Sequence, residues 1–314
     1  MAEISTPALR QVIKGFSEKV VLFSEMLNAN EVVSNSHLSK PLFKKYEFDD
    51  PFIFQIIGEN PQNMAEACAI ISDKGCFSVD INMGCPSSDM AKKGYGAILL
   101  DNLKRAKEII RSCRSAAKTR LSAKIRSGYM NDDTKKLLIF VKMLEDEGVD
   151  FITLHPRFAK LHLSRKANWD LIKLIKKNVK IPVIGNGDID GPEIAIKRMN
   201  ETGCNGIMIG REAVKSPWIF KLCNTLNEKK EINLDINIEK PFIQILELIR
   251  KYTPPILHRR RAHKFCYFYS DNVKFSHELF KKIKNTDKID DMKILIYDYF
   301  DRNPGEVLKR YKYS

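Results

Sequence analysis

From Lys19 to about Leu226 the sequence alternates two patterns, and this alternation restricts the fold more than any other feature. Short apolar or period-two runs read as strands: Lys19–Ser24, Phe52–Ile57, Cys76–Asn82, Leu121–Arg126, Phe151–His155, Ile181–Gly185 and Gly206–Ile209. Between them lie amphipathic stretches with helix starts. Asn60-Pro61 opens a helix running to Lys74, and further helices are predicted over Asn102–Ala117, Asp132–Glu147, Trp169–Lys177, Pro192–Thr202 and Pro217–Leu226. Ahead of the first strand, Thr6 caps a helix over Pro7–Glu18. Strand, helix, strand in strict succession makes neighbouring strands parallel, joined by right-handed crossovers. The expected fold is therefore a TIM (β/α)8-type barrel. The pattern supplies seven strands where closure takes eight, so the barrel is expected to lack its first strand, which would precede Met1.

Beyond residue 227 the pattern changes. Glu228–Lys240 is charged and aperiodic and reads as a linker. From Pro241 the pattern is helical, with one apolar stripe of Phe242, Ile245, Leu246 and Ile249 and another of Ile289, Met292, Ile296, Tyr299 and Phe300. The chain thus divides into a barrel over 1–228 and a small all-helical C-terminal domain over 240–314. The second domain carries His258-Arg259-Arg260-Arg261, with Phe265, Tyr267, Phe268 and Tyr269 beside them. Aromatics at that spacing are expected to form the helical core, whereas the arginines suit a phosphate backbone.

The charge agrees with a polyanionic partner. Lys and Arg number 53 against 39 Asp and Glu, a formal charge of +14 over 314 residues. The seven cysteines are scattered and form no C-x-x-C pair, a poor disulfide framework that suits a reducing, cytoplasmic setting. No metal-ligand spacing is present. The N-terminus carries no basic and apolar leader, and no apolar run approaches the ~18 residues of a membrane span. A monomer with no membrane and no obligate protein partner is expected.

Chemistry concentrates at the strand ends. Phe77, Val79 and Ile81 alternate with Ser78, Asp80 and Asn82, then Gly84 and Pro86 break the strand on either side of Cys85. A thiol in a turn just past a strand end sits where barrel enzymes keep their chemistry. Gly94 and Gly96 supply a second bend. Other strand ends carry Gln55, Lys124 with Arg126, His155 with Arg157, Asn186 with Asp188, and Gly210 with Arg211. The last two pairs, with Gly187, lie at the loops where barrels bind phosphate. A phosphorylated flat cofactor such as FMN fits this set, and a sugar-phosphate substrate is the competing occupant.

The blocks Asp80-Ile-Asn-Met-Gly-Cys-Pro, Gly94-Tyr-Gly-Ala, Lys124-Ile-Arg-Ser-Gly, Ile152-Thr-Leu-His-Pro-Arg, Ala167-Asn-Trp, Ile181-Pro-Val-Ile-Gly-Asn-Gly-Asp-Ile, Gly206-Ile-Met-Ile-Gly-Arg and Pro217-Trp together resemble the tRNA-dihydrouridine synthase family, in order along the whole chain. The resemblance implies an FMN barrel followed by a helical tRNA-binding domain, with NADPH as reductant and tRNA as substrate. It implies Cys85 as general acid and Asn82 on the target uracil. Gln55, Lys124 and His155 would hold the flavin ring and ribityl chain, and Asn186, Gly187, Asp188, Gly210 and Arg211 the phosphate end. Arg126, Arg157, Arg259, Arg260 and Arg261 are assigned to substrate. Two departures stand out: His155-Pro156-Arg157 replaces the His-Gly-Arg of many members, and Met1-Ala2 matches only the end of an Ala-Pro-Met-Ala motif. The natural protein is accordingly expected to start roughly ten residues upstream, one strand's worth. A flavin-dependent small-molecule oxidoreductase of the dihydroorotate dehydrogenase type, and a non-catalytic tRNA-binding protein, are the alternatives.

Overall fold

A computed structural model describes residues 1, 3–35, 43–161 and 165–313; Ala2, on which half of the Met1-Ala2 match rests, lies outside them. Seven parallel strands form one sheet in the order of the chain: β1 (Leu22–Asn28), β2 (Phe52–Ile57), β3 (Ser78–Met83), β4 (Arg120–Arg126), β5 (Phe151–His155), β6 (Val183–Asn186) and β7 (Gly206–Met208). Sequential order with every neighbour parallel is the connectivity of a (β/α) barrel. The sheet is open, with β1 and β7 as its two edges, as the count of seven implies. The first strand runs past Ser24, where the sequence pattern predicts its end, to Asn28. Its partner β2 is buried along its whole length, and the same holds for β3.

The helix starts follow local chemistry. Asn60 accepts from the backbone N–H groups of Gln62 and Asn63 at the head of Pro61–Ser72, and Asn102 accepts from Arg105 at the head of Leu103–Ala116. Each satisfies donors that the first turn leaves without an intrahelical partner. These two helices pack against one another through buried Met64, Ala67, Cys68, Ile71, Ile109, Ile110 and Cys113.

The chain resolves into two compact units. One comprises 21–190 and 194–209 and holds the seven-stranded sheet; the other comprises 1–20, 191–193 and 210–314. In the second unit the opening helix Pro7–Phe16 packs on Glu239–Tyr252, and Tyr252 Oη donates to Gln11 Oε1 at 2.8 Å. Its core is aromatic. Trp218, Phe242 and Tyr269 are almost wholly buried, with Phe242 and Tyr269 ring centroids 4.7 Å apart and Trp218 edge-on to Phe16 at 5.8 Å. Phe265 and Tyr269 therefore serve the core, as their helical spacing predicts.

Two expectations fail here. Glu228–Lys240, which reads as a linker, contains β8 (Ile232–Asn237), and the C-terminal region, which reads as helical throughout, contains β9 (Leu308–Tyr313), paired antiparallel from Ile232↔Tyr313 to Asn237↔Leu308. Ile232, Leu234 and Ile236 alternate with Asn233, Asp235 and Asn237, a period of two that gives a strand one apolar face. The flanking charges outweigh this signal in a window average, and β9 alone, exposed on alternate residues, is too polar to declare itself.

Candidate active site

The register of the parallel strands places the polar residues of the sheet in rows. Gln55 on β2 lies beside Asp80 on β3, which lies beside Ser122 on β4. Two residues further on, Asn82 lies beside Lys124 and Lys124 beside Thr153. The next step pairs Arg126 with His155. Residues two apart on a strand share a face, so these rows stack on one face of the sheet as the layers of a barrel interior do.

Within this stack the groups are joined. Asp80 is fully buried; Gln55 Nε2 donates to its Oδ2 at 2.8 Å and Ser122 Oγ to its Oδ1 at 2.7 Å. Gln55 Oε1 accepts from Asn82 Nδ2 at 2.8 Å. Asn82 Oδ1 then accepts from the backbone N–H groups of Gly84 and Cys85 at 3.0 and 2.9 Å. Asn82 thus fixes the turn that carries Cys85, whose side chain is half-buried and not in a disulfide. From the far side Gly96, with φ of +70°, closes on the same turn. A Cβ there would stand 2.8 Å from Cys85 Cβ, so glycine is required both by conformation and by space. Arg126 Nε donates to Gly84 O at 2.9 Å and braces the turn from β4.

The electrostatics around Cys85 are cationic. Burial, helped by the neighbouring Arg126, pulls the Lys124 ammonium down to about 8, against the attraction of Asp80 and Cys85. Burial, then Arg157, lowers Arg126 as well. Burial pushes the Asp80 carboxyl up to about 6, against the donors of Gln55 and Ser122 and the charge of Lys124. Two buried polar atoms in these rows, Arg126 Nη1 and Thr153 Oγ1, have no hydrogen-bond partner among the described residues. Orphaned donors of that kind fit a polar or anionic group bound over the strand ends.

At the other end of the stack Arg157 is committed within the fold. Its Nη2 donates to both Asp188 oxygens, at 2.8 and 2.6 Å, its Nε to Arg165 O at 2.5 Å, and its Nη1 lies 3.3 Å from His155 Nε2. Asp188 also accepts from the Ala167 N–H at 2.8 Å. Gly187 adopts φ of +115°; a Cβ there would stand 2.8 Å from His155 Cδ2, so the backbone forms a narrow cradle beside the imidazole. Asn186 Nδ2 donates to Met208 O at 2.8 Å, tying β6 to β7.

Gln55, Asn82, Cys85, Lys124, Arg126, His155, Arg157, Asn186, Gly187 and Asp188 all belong to the sheet unit. Gly210 and Arg211 belong to the second unit, where Gly210 caps the short helix Arg211–Lys215 and Arg211 is exposed. Asp80 and Ser122 are the residues that sequence reasoning passed over. Asp80 lies two before Asn82, hence on the same face, a signal that was available.

The arginine triplet lies on the helix Pro255–Tyr269 and is split by it. Arg259 and Arg260 are exposed and paired with Asp287 and Glu3, and Lys264 also reaches Glu3, at 2.9 Å. Arg261 is only 4% exposed, because it falls on the stripe of Phe265 and Tyr269. The triplet does not present three cations to a ligand. Arg259 and Arg260 instead flank an open groove lined also by Ile256, His263, Tyr267 and Phe280. Among the described residues no helix is long and apolar enough to cross a membrane, and no cluster of His, Cys, Asp and Glu could hold a metal.

Solved structures share the fold at low identity. A 2-naphthoyl-CoA reductase complex aligns with a TM-score of 0.54 at 13% identity, over 71% of this chain and 46% of that one. An old yellow enzyme homologue from Zymomonas mobilis aligns at 0.53 and 12%, over 72% and 84%. This chain therefore spans less than half the length of the first. These likenesses define the class, a barrel-type α/β fold with its polar residues at the strand ends. The chain belongs to the dihydrouridine synthase family, which matches residues 1–294. That family is one of flavin oxidoreductases, so the chain is an enzyme. Its similar relatives include the tRNA-dihydrouridine synthase B of Pasteurella multocida, 31% identical over 80% of this chain and 75% of that one. The tRNA-dihydrouridine synthase B of Shewanella oneidensis is 34% identical over 70% and 68%.

Proposed function

We propose that this chain reduces a uridine of tRNA to 5,6-dihydrouridine, with FMN as its flavin and NADPH as reductant. The observation that carries the reading is the Cys85 turn, held by Asn82 and Arg126 beside a half-buried lysine. Family membership supplies the reaction class, and the orphaned buried donors Arg126 Nη1 and Thr153 Oγ1 fit a polar ligand over the strand ends. Gln55, Lys124 and His155 would hold the flavin ring and ribityl chain, with the Gly187 cradle toward its phosphate end. When bound, the flavin carries hydride from NADPH to carbon-6 of the uracil.

The protein's own part is the proton and the geometry. Hydride arriving at carbon-6 leaves the electron pair of the 5,6 double bond on carbon-5 and the adjoining carbonyl. Cys85 donates its thiol proton to carbon-5, which completes the reduction. Lys124 and Arg126 face the thiolate left behind and stabilise it. One amide hydrogen of Asn82 is engaged with Gln55, and its other is directed to the uracil edge. A base inside a stack is out of reach, so the target nucleotide must be extruded to meet Cys85. Arg259 and Arg260 contact tRNA phosphates. Their present partners are Asp287, which is exposed, and Glu3, which is partly buried, and ion pairs made by exposed arginines are worth little and exchange readily. The free cysteines fit a reducing cytoplasm.

Dihydrouridine content of tRNA from a deletion strain, with and without the gene restored, tests the reading. Loss of the modified base at a defined position and its return with the gene are expected. Unchanged dihydrouridine, with flavin present in the purified protein, would redirect the assignment to a small unsaturated substrate.

A further inference from the structure

Cys85 sits at the end of a relay of amides that begins at a buried carboxylate. Each member has a fixed polarity. Asp80 can only accept when ionised, so Gln55 must turn its NH2 toward it. That leaves Gln55 Oε1 facing Asn82, which must then turn its own NH2 toward Gln55. Only in this orientation does Asn82 Oδ1 face the N–H groups of Gly84 and Cys85. An amide flipped at either position would set two donors, or two acceptors, against one another at under 3 Å. We infer that Asp80 is the positioning residue for Cys85: by fixing the polarity of Gln55 and through it Asn82, it sets where the thiol stands over the substrate.

The inference rests on the assignment of Cys85 as the proton donor for its functional meaning, but not for its geometry. Asp80 lies on a strand that is buried throughout, where a carboxylate is held only by the donors and the charge that face it. Ser122 occupies its second oxygen and is itself held by Ser78 Oγ at 3.2 Å, so the carboxylate is anchored from β4 as well. Lys124 supplies the nearby positive charge.

The test exchanges donor and acceptor. Gln55→Glu places two carboxylates in contact, which they tolerate only by sharing a proton. Its contact with Asp80 is expected to hold at low pH and to fail as that proton is lost, the two carboxylates then moving apart and drawing Asn82 with them. Asp80→Asn combined with Gln55→Glu restores a donor facing an acceptor at every link, with the same net charge. Cys85 position is read by the rate at which iodoacetamide alkylates it, followed by mass spectrometry of its peptide, on the protein as purified between pH 5 and 9. Each variant's rate is fitted across the pH range, so that a change in the thiol's own titration is separated from a change in its position. Gln55→Glu is expected to depart from the wild-type rate by roughly fivefold or more at the alkaline end. The double variant is expected to return to within about twofold. Wild-type rates for Gln55→Glu throughout, or a double variant no better than the single, would overturn the relay. If Gln55→Glu fails to fold, the double variant decides alone: a wild-type rate supports the relay and a changed rate refutes it. Alkylation that responds while reduction of tRNA does not would keep the relay and reject Cys85 as the acid.

Discussion

Asp80→Asn should make this protein more stable, and by a pH-dependent amount. The carboxyl is raised from 3.8 to about 6, chiefly by burial. Between those values the folded chain holds a proton that the unfolded chain has released. Stability therefore falls as pH rises through this window and levels off above it. The gap corresponds to about 3 kcal/mol at pH 7. An amide escapes the cost without orphaning a neighbour. Its Oδ1 accepts from Gln55 Nε2, and its Nδ2 donates to Ser122 Oγ, whose proton passes to Ser78 Oγ 3.2 Å away. Urea unfolding of both proteins at pH values from 4 to 7.5 checks this, because the difference between them cancels every other titrating group. The two should nearly coincide at pH 4 and separate by about 3 kcal/mol above pH 6, with the variant the more stable. A separation that does not vary with pH, or one that favours the wild type as pH rises, would refute the assignment of a strained buried carboxylate.

Cys85→Ala should retain the flavin spectrum while tRNA oxidises the flavin more slowly in single turnover, by about two to four orders of magnitude; a rate within a few-fold of wild type removes Cys85 from the mechanism. Gly96→Ala should lower turnover at least about tenfold with Cys85 intact, since its Cβ meets Cys85 Cβ at 2.8 Å and the residue must hold a positive φ. Lys124→Met should lose flavin on dialysis yet unfold at higher urea at pH 7. The lysine is held below its ordinary 10.5, at about 8, so its cost is fully present below pH 8 and fades as pH approaches 10.5; half-burial discounts it to about 2 kcal/mol. Arg259→Glu with Arg260→Glu should weaken tRNA binding and flatten its salt dependence, measured by filter binding from 50 to about 200 mM salt, whereas Arg261→Glu should lower the melting temperature instead.

What the sequence carries clearly is whatever obeys a local period. The helix Pro192–Thr202 and the strands Phe52–Ile57 and Phe151–His155 fall where breakers and periodicity place them, because each has its stop signals in its own residues. The rows across the sheet were less accessible. Gln55, Asp80 and Ser122 are far apart in sequence, and only the strand register brings them together. Arg261 shows the opposite failing. Adjacency groups it with Arg259 and Arg260, but a helix turns about 100° per residue, and its spacing to Phe265 points inward. The pair β8 and β9 is hidden because each strand depends on a partner about 70 to 80 residues away, and neither is apolar enough to stand without it.

That pairing bears on the order in which the molecule can form during synthesis. The sheet unit is nearly continuous in sequence, and its last strand has been made by residue 208. The second unit draws on both ends of the chain: Pro7–Phe16 must wait for Glu239–Tyr252, and β8 must wait for β9. On a ribosome adding roughly 5–20 residues per second, the barrel strands emerge and pair while the opening helix still has its apolar face uncovered. For about 10–50 seconds that helix is a binding site for chaperones, and a nonsense mutation before Leu308 would leave β8 unpaired for good. Completion of this unit is therefore governed by the synthesis of Leu308–Tyr313, and pulse-labelled nascent chains should gain protease resistance in two steps, the second only once that strand has emerged.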